Sequence, residues 1–322
     1  MSIVALAFSA LIAAAQPSGQ AAATSDEAST RIPEGSPASL FAGQRSTEVL
    51  LVQVLLDRAR HSPGTIDGIM GGNTRRAIAA YRRRHALSGG GEIELSLIRR
   101  LREEQSGDVF QTYTITEADL DRPFPDVPSG MKEQAELEKV GYERSSEALA
   151  EKFHMAESFL TALNPGADFG KAGTRIYVVA AGPDRLPSKI ARIEVDKGQG
   201  TVRAFASDGQ LVATYPATIG SSEFPSPHGR MEVRALAPAP KYYFDPSGRS
   251  WGPDRKLVIA AGPNNPVGST WIDLTEEGYG IHGTPEPRLI GKSASHGCVR
   301  LTNWDAEELG QAVEKGTVVE FV

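Results

Sequence analysis

Cysteine is almost absent from this sequence, because Cys298 is the only one in 322 residues. A single thiol excludes an internal disulfide framework and the paired Cys-x-x-Cys ligands of structural zinc sites. Basic residues are also outnumbered by acidic ones. The 34 Lys and Arg stand against 40 Asp and Glu, and the net charge of −6 argues against a nucleic-acid partner. Gly-rich phosphate loops and internal repeats are missing too, so neither a P-loop nucleotide site nor a solenoid is indicated.

Long hydrophobic runs are limited to one, residues 3–15, which is too short to span a bilayer. This run and the Ala-rich stretch around it predict a signal peptide over residues 1–23, with a candidate Ala-x-Ala cleavage site at residues 13–15. We therefore expect export to a bacterial periplasm; a buried N-terminal helix is the alternative. No cysteine lies near residue 20, which excludes a lipoprotein anchor. The composition of residues 24–45 predicts a disordered linker.

Residues 46–104 predict a small domain of three helices. Apolar residues recur at helical spacing around Leu50 and Tyr81, and a loop dense in turn residues separates the two segments. The loop sequence IDGIMG at residues 66–71 and the Ala-x-x-x-Tyr helix after it resemble the three-helix peptidoglycan-binding domain family. This resemblance implies a domain that binds cell-wall polymer; a spacer without a ligand is the alternative.

Residues 112–181 predict a small βααβ module with an insert. An alternating segment at residues 113–116 and an apolar one at residues 176–179 predict strands, and two helical stretches lie between them. A polar, proline-containing insert at residues 117–141 separates the first strand from the helices. The order of elements and the Leu-Asn-Pro-Gly stop after the second helix resemble the lysin-motif family, which implies binding to glycan chains.

Residues 188–322 change to β-type patterning. Alternation at residues 190–196 predicts a half-buried strand, and Asp208-Gly209 supports a hairpin turn after it. One helix is predicted from about Asn303 to Glu314, with Thr302 as its N-cap. The whole chain therefore predicts a multidomain α+β fold. Its C-terminal domain is expected to be mainly antiparallel and β-sandwich-like with one helix.

The candidate catalytic residues of this sequence lie around Cys298. A thiol that acts as a nucleophile needs a base, a group that orients the base, and donors for the oxyanion of the tetrahedral intermediate. His282 and His296 are the candidate bases, the carbonyl of Gly283 is a candidate orienting group, and the amides of Gly297 and Cys298 are candidate donors. Two other interpretations of Cys298 remain: a small buried hydrophobe, or a zinc ligand together with the two histidines.

The motif SHGCVR at residues 295–300, preceded by His282 at a spacing of somewhat over ten residues, resembles the catalytic motif of the L,D-transpeptidase family (the YkuD-type domain). The resemblance spans residues 188–322. It implies that Cys298 is the nucleophile, that His282 is the general base, and that the Gly283 carbonyl orients it. Arg300, in place of the commoner Asn, would bind a substrate carboxylate. Ser295 and His296 would shape the pocket, and we expect His228 and Trp271 to border the substrate cleft.

The resemblance also implies a reaction. Cys298 would attack the stem peptide of peptidoglycan, release a terminal D-amino acid and form a thioester, which an amine of a neighbouring stem resolves to give a 3→3 cross-link. The implied partners are stem peptides and glycan strands, with covalent inhibition by carbapenem-type β-lactams and no metal or other cofactor. Hydrolysis, D-amino-acid exchange or protein anchoring by the same acyl-enzyme are alternatives, as is a catalytically silent wall-binding protein.

Overall fold

The computed structural model describes residues 31–37, 39–221, 223–247, 251–295 and 297–322. The predicted signal peptide lies outside the described residues, as do residues 24–30 of the predicted linker. Within these ranges no helix is long and apolar enough to cross a membrane.

The N-terminal half begins with three helices. They are α1 (Thr47–Arg58), α2 (Gly72–Arg84) and α3 (Leu95–Glu104), and they occupy the segment where a three-helix domain was predicted. Ser46 starts α1 because its hydroxyl accepts a hydrogen bond from the amide of Glu48 at 3.2 Å. Leu55 on α1, Ile78 and Tyr81 on α2 and Leu101 on α3 are fully buried, so the apolar faces of the helices meet in one core.

The second unit is built on a two-stranded antiparallel sheet. Strands β1 (Phe110–Thr114) and β2 (Arg175–Val179) pair with Thr112 opposite Tyr177. Four short helices lie between the strands in sequence: α4 (Glu117–Leu120), α5 (Met131–Gln134), α6 (Ser145–Lys152) and α7 (Glu157–Leu163). The helices α6 and α7 and the two strands give the predicted βααβ order, and the predicted insert carries α4 and α5.

These two units share one hydrophobic core, which runs from Leu40 to Val179. The backbone joins them as well: the Ile66 amide donates to the His154 carbonyl at 2.8 Å, and the Ala156 amide donates to the Ile66 carbonyl at 3.0 Å. The two units, which were predicted as separate domains over residues 46–104 and 112–181, therefore pack as one body around a single core. Each unit has few apolar residues of its own, and packing the two together buries more surface than either would alone.

The end of the predicted linker is also part of this core. Leu40 is 2% exposed, and the ring of Phe41 packs edge-on against the ring of Phe159 with 6.3 Å between centroids. The linker prediction of residues 24–45 is thus wrong for its last residues. A Leu-Phe pair in an otherwise small-residue stretch was enough apolar surface to dock on α7.

The C-terminal half is a nine-stranded sheet. Its order is β5-β4-β3-β13-β7-β10-β11-β12-β6. The strands are β3 (Arg192–Asp196), β4 (Thr201–Phe205), β5 (Leu211–Pro216), β6 (Thr218–Ile219), β7 (Gly229–Pro238), β10 (Thr270–Leu274), β11 (Gly280–His282), β12 (Val299–Arg300) and β13 (Val318–Phe321). A separate pair, β8 (Tyr242–Phe244) and β9 (Leu257–Ile259), lies outside this sheet.

Strand pairing in this sheet is mixed, residues from both of its parts share one hydrophobic core, and the sandwich-like packing of the two parts stays a prediction. The ten-residue strand β7 joins its two parts, because its first residues pair with β13 and its last residues pair with β10. Of the pairs of adjacent strands, two are parallel: β13 with β3, and β11 with β12. The other pairs along the strand order are antiparallel. The parallel pair β11–β12 is the one that carries the candidate site.

One helix, α8 (Asn303–Ala312), packs on this sheet. The hydroxyl of Thr302 accepts from the Asp305 amide at 3.2 Å and caps the start of the helix, as the sequence predicted. Ala306 and Leu309 are fully buried against the sheet. The helix ends two residues before the predicted Glu314, and Asn303 and Asp305 in its first turn face the N-terminal half through hydrogen bonds to Glu151 and Ser62.

The two halves are joined by backbone hydrogen bonds in two places. The Ser62 amide donates to the carbonyl of Thr214, in strand β5, at 2.9 Å. On the other side, the insert after α5 runs beside the loop that follows β9. There the Asn264 amide donates to the Val140 carbonyl at 3.2 Å, and Val140 itself donates to the Ala261 carbonyl at 3.3 Å. The insert is thereby held against the C-terminal half.

Candidate active site

Two short parallel strands bring the site together. In their register, His282 at the end of β11 lies opposite Arg300 in β12, and Ile281 lies opposite Val299. Cys298 immediately precedes β12, two residues before Arg300. Because side chains two residues apart in an extended chain point to the same side, Cys298 and Arg300 face the same side as their neighbour His282. All three line one cleft.

This cleft has a volume of about 560 Å³. Aromatic side chains form much of its wall: Trp271 from β10, Tyr242 and Tyr243 from β8, and Trp251 from the segment between β8 and β9. Met131 of α5 also lines it, so the N-terminal half contributes to the cleft. The walls are thus largely apolar and aromatic, and the polar groups that line the cleft include a thiol, an imidazole, a guanidinium and the ammonium of Lys241, a composition that suits a ligand site.

His282 is held as a neutral imidazole with a defined tautomer. Its Nδ1 atom lies 2.7 Å from the carbonyl oxygen of Gly283, which can only accept, so the ring proton resides on Nδ1. Burial lowers the pKa of His282 to about 4, the positive charge of Arg300 acts in the same direction, and the carbonyls of Gly283 and Val267 only partly offset them. At neutral pH, Nε2 therefore carries a lone pair that can accept a proton.

The ring of His282 is also fixed from its face. It stacks on the ring of Trp271 with 5.3 Å between centroids and an interplanar angle of 25°. The Trp271 indole in turn donates to the carboxylate of Asp273 at 3.3 Å. Trp271, which was expected at the border of the cleft, thus lines it and also packs against the candidate base.

The loop that carries Cys298 is fixed by two buried serines. The Ser295 hydroxyl donates to the Cys298 carbonyl at 2.7 Å, and the Ser226 hydroxyl donates to the Gly297 carbonyl at 2.6 Å. Gly297 has a φ of +106°, a conformation that L side chains rarely adopt. The Cys298 side chain is partly exposed to the cleft, and its Sγ lies 3.5 Å from the Gly278 carbonyl.

Arg300 places a positive charge beside the thiol. Burial lowers the pKa of Arg300, while the charges of Cys298 and Tyr242 act in the opposite direction. A guanidinium next to a cysteine stabilises the thiolate, which is the nucleophilic form. The same group, inside the cleft, is suited to bind a carboxylate with two parallel hydrogen bonds.

The remaining predicted site residues fall in different places. Ser295 is 2% exposed and supports the loop from behind, so its hydroxyl faces the protein rather than the cleft. His228 is exposed and lies 2.8 Å from Lys197 Nζ, and it is not among the residues that line the cleft. His296 lies outside the described residues. In the part of the chain that the structure describes, no three His, Cys, Asp or Glu side chains are grouped to hold a metal ion.

Two residues at the site were missed by sequence reasoning. Nothing in the sequence context of Ser226 indicates that its hydroxyl reaches residue 297. Met131 lies in the insert, where polar and proline-rich composition gave no signal of a contact with the cleft. Both contacts depend on tertiary structure alone.

Comparison with known proteins places this geometry in a family. A sequence model of the L,D-transpeptidase catalytic domain (YkuD) matches residues 190–321. The chain is 31% identical over 178 residues to the putative L,D-transpeptidase YkuD of Bacillus licheniformis, covering 54% of this chain and 92% of that protein. It is 28% identical over 174 residues to the putative L,D-transpeptidase YkuD of Bacillus subtilis, covering 53% of this chain and 90% of that protein.

A solved structure is also similar, that of L,D-transpeptidase 3 from Mycobacterium tuberculosis. Its TM-score is 0.35 at 20% identity, over 47% of this chain and 74% of that one. The family assignment rests on the sequence relatives, whose length is covered almost completely. The chain belongs to the L,D-transpeptidase family, and its C-terminal half is the catalytic domain.

Proposed function

We propose that this protein forms 3→3 cross-links in bacterial peptidoglycan through a thioester on Cys298. One observation carries the proposal: Cys298, Arg300 and a neutral His282 with its proton fixed on Nδ1 line the same cleft. This arrangement supplies a nucleophile, a base with a free Nε2 and a positive charge, which are the groups that cysteine acyl transfer requires.

In the acylation step, Nε2 of His282 takes the thiol proton as Sγ bonds to the amide carbonyl carbon after the L-centre of the diamino acid. The amides of Gly297 and Cys298 are our candidates for stabilising the oxyanion. The carbon–nitrogen bond then breaks, and the imidazolium returns its proton to the departing D-amino acid. Arg300 is suited to hold the carboxylate of that D-amino acid, since it is a cation inside the cleft.

In the second step, an amine from a neighbouring stem attacks the thioester carbonyl. His282 accepts the amine proton, the carbon–sulfur bond breaks, and the thiol is restored. The aromatic walls formed by Tyr242, Tyr243 and Trp251 suit the aliphatic stem of a diamino acid, because they offer apolar surface in the same cleft as the polar groups. If water or a free D-amino acid serves as acceptor instead, the same acyl-enzyme gives hydrolysis or exchange.

We further propose that the protein acts in the periplasm and that its N-terminal half binds wall polymer. The apolar run near the N-terminus and the resemblances of residues 46–104 and 112–181 support these proposals. A wall-binding half that is packed against the catalytic domain would raise the local concentration of polymeric substrate at the cleft.

Mass spectrometry of the protein incubated with disaccharide-tetrapeptide tests the main proposal. We expect a covalent adduct on Cys298 and 3→3 dimers in solution, and we expect Cys298→Ala and His282→Ala each to lose the adduct while their circular dichroism stays native. An adduct or released D-alanine without dimers would reassign the reaction to hydrolysis or exchange. A native protein that forms no adduct would be a silent wall-binding protein.

Carbapenem-type β-lactams should acylate the same thiol, because the strained lactam presents an amide carbonyl and a carboxylate to Cys298 and Arg300. We expect a mass increase equal to one carbapenem on the intact protein and none on Cys298→Ala. A carbapenem adduct on another residue would show that the cleft does not direct the reaction.

A further inference from the structure

We propose that Asn303 and Glu151 are positioning residues for the catalytic base, and that Glu151 does this from the N-terminal half of the chain. The role of His282 as a base rests on the proposed function. The connection consists of one peptide group and two side chains, each joined to the next by a hydrogen bond.

The first link is the peptide group between Gly283 and Thr284. Its carbonyl holds Nδ1 of His282 at 2.7 Å, and its amide, on Thr284, donates to Oδ1 of Asn303 at 3.1 Å. The two ends of one rigid, planar unit thus contact the base and Asn303. A rotation of this peptide group would move the carbonyl away from Nδ1, so Asn303 fixes the orientation of the imidazole and its tautomer.

The second link is the close fit around Asn303. Its Oδ1 also accepts from the Ser269 amide at 3.1 Å, and the residue is 1% exposed. A Cβ added to Gly283 would collide with Oδ1 of Asn303. The absence of a side chain at residue 283 is therefore what lets the Asn303 amide group approach the loop this closely.

The third link crosses to the N-terminal half. Nδ2 of Asn303 donates to the Pro263 carbonyl at 3.2 Å and to Oε2 of Glu151, on α6, at 3.0 Å. Glu151 is 7% exposed, and its Oε2 also accepts from the Tyr142 hydroxyl at 3.1 Å. An amide hydrogen without an acceptor at this depth is costly, so the Glu151 carboxyl and the Pro263 carbonyl together hold the NH2 side of the Asn303 amide group.

His282, in the C-terminal half, is therefore oriented partly by Glu151, a side chain of the N-terminal half. Replacing the Glu151 acceptor with an apolar group of similar size should leave Nδ2 of Asn303 held by the Pro263 carbonyl alone and loosen the Gly283–Thr284 peptide. The effect should consequently appear in the reactivity of Cys298. Glu151→Met also removes the acceptor of the Tyr142 hydroxyl, and Tyr142→Phe, which removes that hydroxyl but keeps the Glu151–Asn303 bond, separates the two losses.

The test measures alkylation of Cys298 by iodoacetamide in the full-length protein from about pH 5 to about pH 9, because alkylation reports the thiolate and needs no wall substrate. We expect Glu151→Met to lower the rate constant at neutral pH about tenfold and to shift its pH profile, and Glu151→Gln, which keeps an acceptor oxygen, to stay within about twofold. If Glu151→Met does not fold, Glu151→Ala must show the same loss.

Phe159→Leu is the matched control. Phe159 is fully buried on α7, so its replacement destabilises the same unit without changing a contact of Asn303. An equal loss in Phe159→Leu and Glu151→Met, or an equal loss in Glu151→Gln and Glu151→Met, would overturn the proposal. Failure of the wild-type protein to form an adduct with disaccharide-tetrapeptide would refute the proposed function but leave this alkylation test intact.

Discussion

The backbone conformation of Gly297 sets the position of the Cys298 thiol, because the two residues are adjacent in the loop. An alanine there would hold a φ of +106°, at a cost of about 1–3 kcal/mol, and its Cβ would lie 2.9 Å from the Tyr279 ring. We expect Gly297→Ala to lower the rate of carbapenem acylation by about tenfold or more, since the loop must shift. Stopped-flow loss of the carbapenem chromophore measures this.

Gly209→Ala is the comparison for that substitution. Gly209 has a φ of +81° in a hairpin turn, and a Cβ there would meet no atom within 4 Å. The Gly209→Ala substitution therefore imposes similar backbone strain at a place away from the cleft. Equal losses of acylation in the two variants would mean that strain alone, and not the position of Cys298, accounts for the effect.

His282 sets the acid limit of the reaction. A base must be neutral to accept a proton, and burial lowers the pKa of His282 to about 4 from the ordinary value of 6.5. We expect the acylation rate to remain high as pH falls through 6.5 and to drop only below about pH 5. A pH–rate profile with its acid limb centred near 6.5 would contradict the buried, neutral imidazole described above.

Single residues of the site were predictable to the extent that their partners are close in sequence. Cys298 and Arg300 lie in one motif, and the carbonyl of Gly283 follows His282 directly, so the motif and the family that it resembles implied their roles. Asn303 and Glu151 are 152 residues apart, and no local pattern connects them. Contacts of this kind form where two surfaces pack together whose residues are distant in sequence.

Three helices meet at a buried polar cluster between the halves. His154, after α6, contacts Asp57 of α1 at 3.1 Å, and the Ser62 hydroxyl donates to Asp305 of α8 at 3.0 Å. Arg60 pairs with Glu308 of α8. Charges at such depth are tolerated only in pairs, so losing one partner should be strongly destabilising.

The Asp57–His154 pair gives this cluster a pH dependence. Burial lowers the pKa of His154, but the negative charge of Asp57 and the nearby Asp184 and Asp305 outweigh it and raise the pKa to about 10. A raised histidine pKa contributes stability that is complete below 6.5 and is lost as pH rises toward 10. The stability difference between the wild-type protein and His154→Gln should therefore narrow over this range in urea unfolding. A constant difference would mean that the imidazole is neutral in the folded protein.

Elements were predictable where local chemistry marks their ends or their period. Thr302 starts α8 as its capping side chain indicated, and the alternating residues of β3 appear where the pattern placed them. The two-residue strands β6 and β12 gave no signal, because two residues are too few to show a period. Their pairing is set by the sheet around them.

The molecule should unfold as one unit despite its modular sequence. Residues 40–179 share a core, and backbone and buried polar contacts join that core to the catalytic sheet at Ser62–Thr214 and at Val140–Asn264. Opening either half would expose unpaired charges of the cluster, which couples the two halves energetically. We expect coincident unfolding transitions by tryptophan fluorescence and far-UV circular dichroism, with equal calorimetric and van't Hoff enthalpies. Two resolved transitions would contradict this coupling.

Met131 brings the N-terminal half into the cleft that an antibiotic would occupy. The residues proposed for the chemistry lie outside the insert that carries Met131, so selection can alter the insert without replacing the nucleophile or the base. Drug resistance in such an enzyme can therefore arise by substitution outside the catalytic domain. Surveys of resistant isolates that sequence only the region around Cys298 would overlook it.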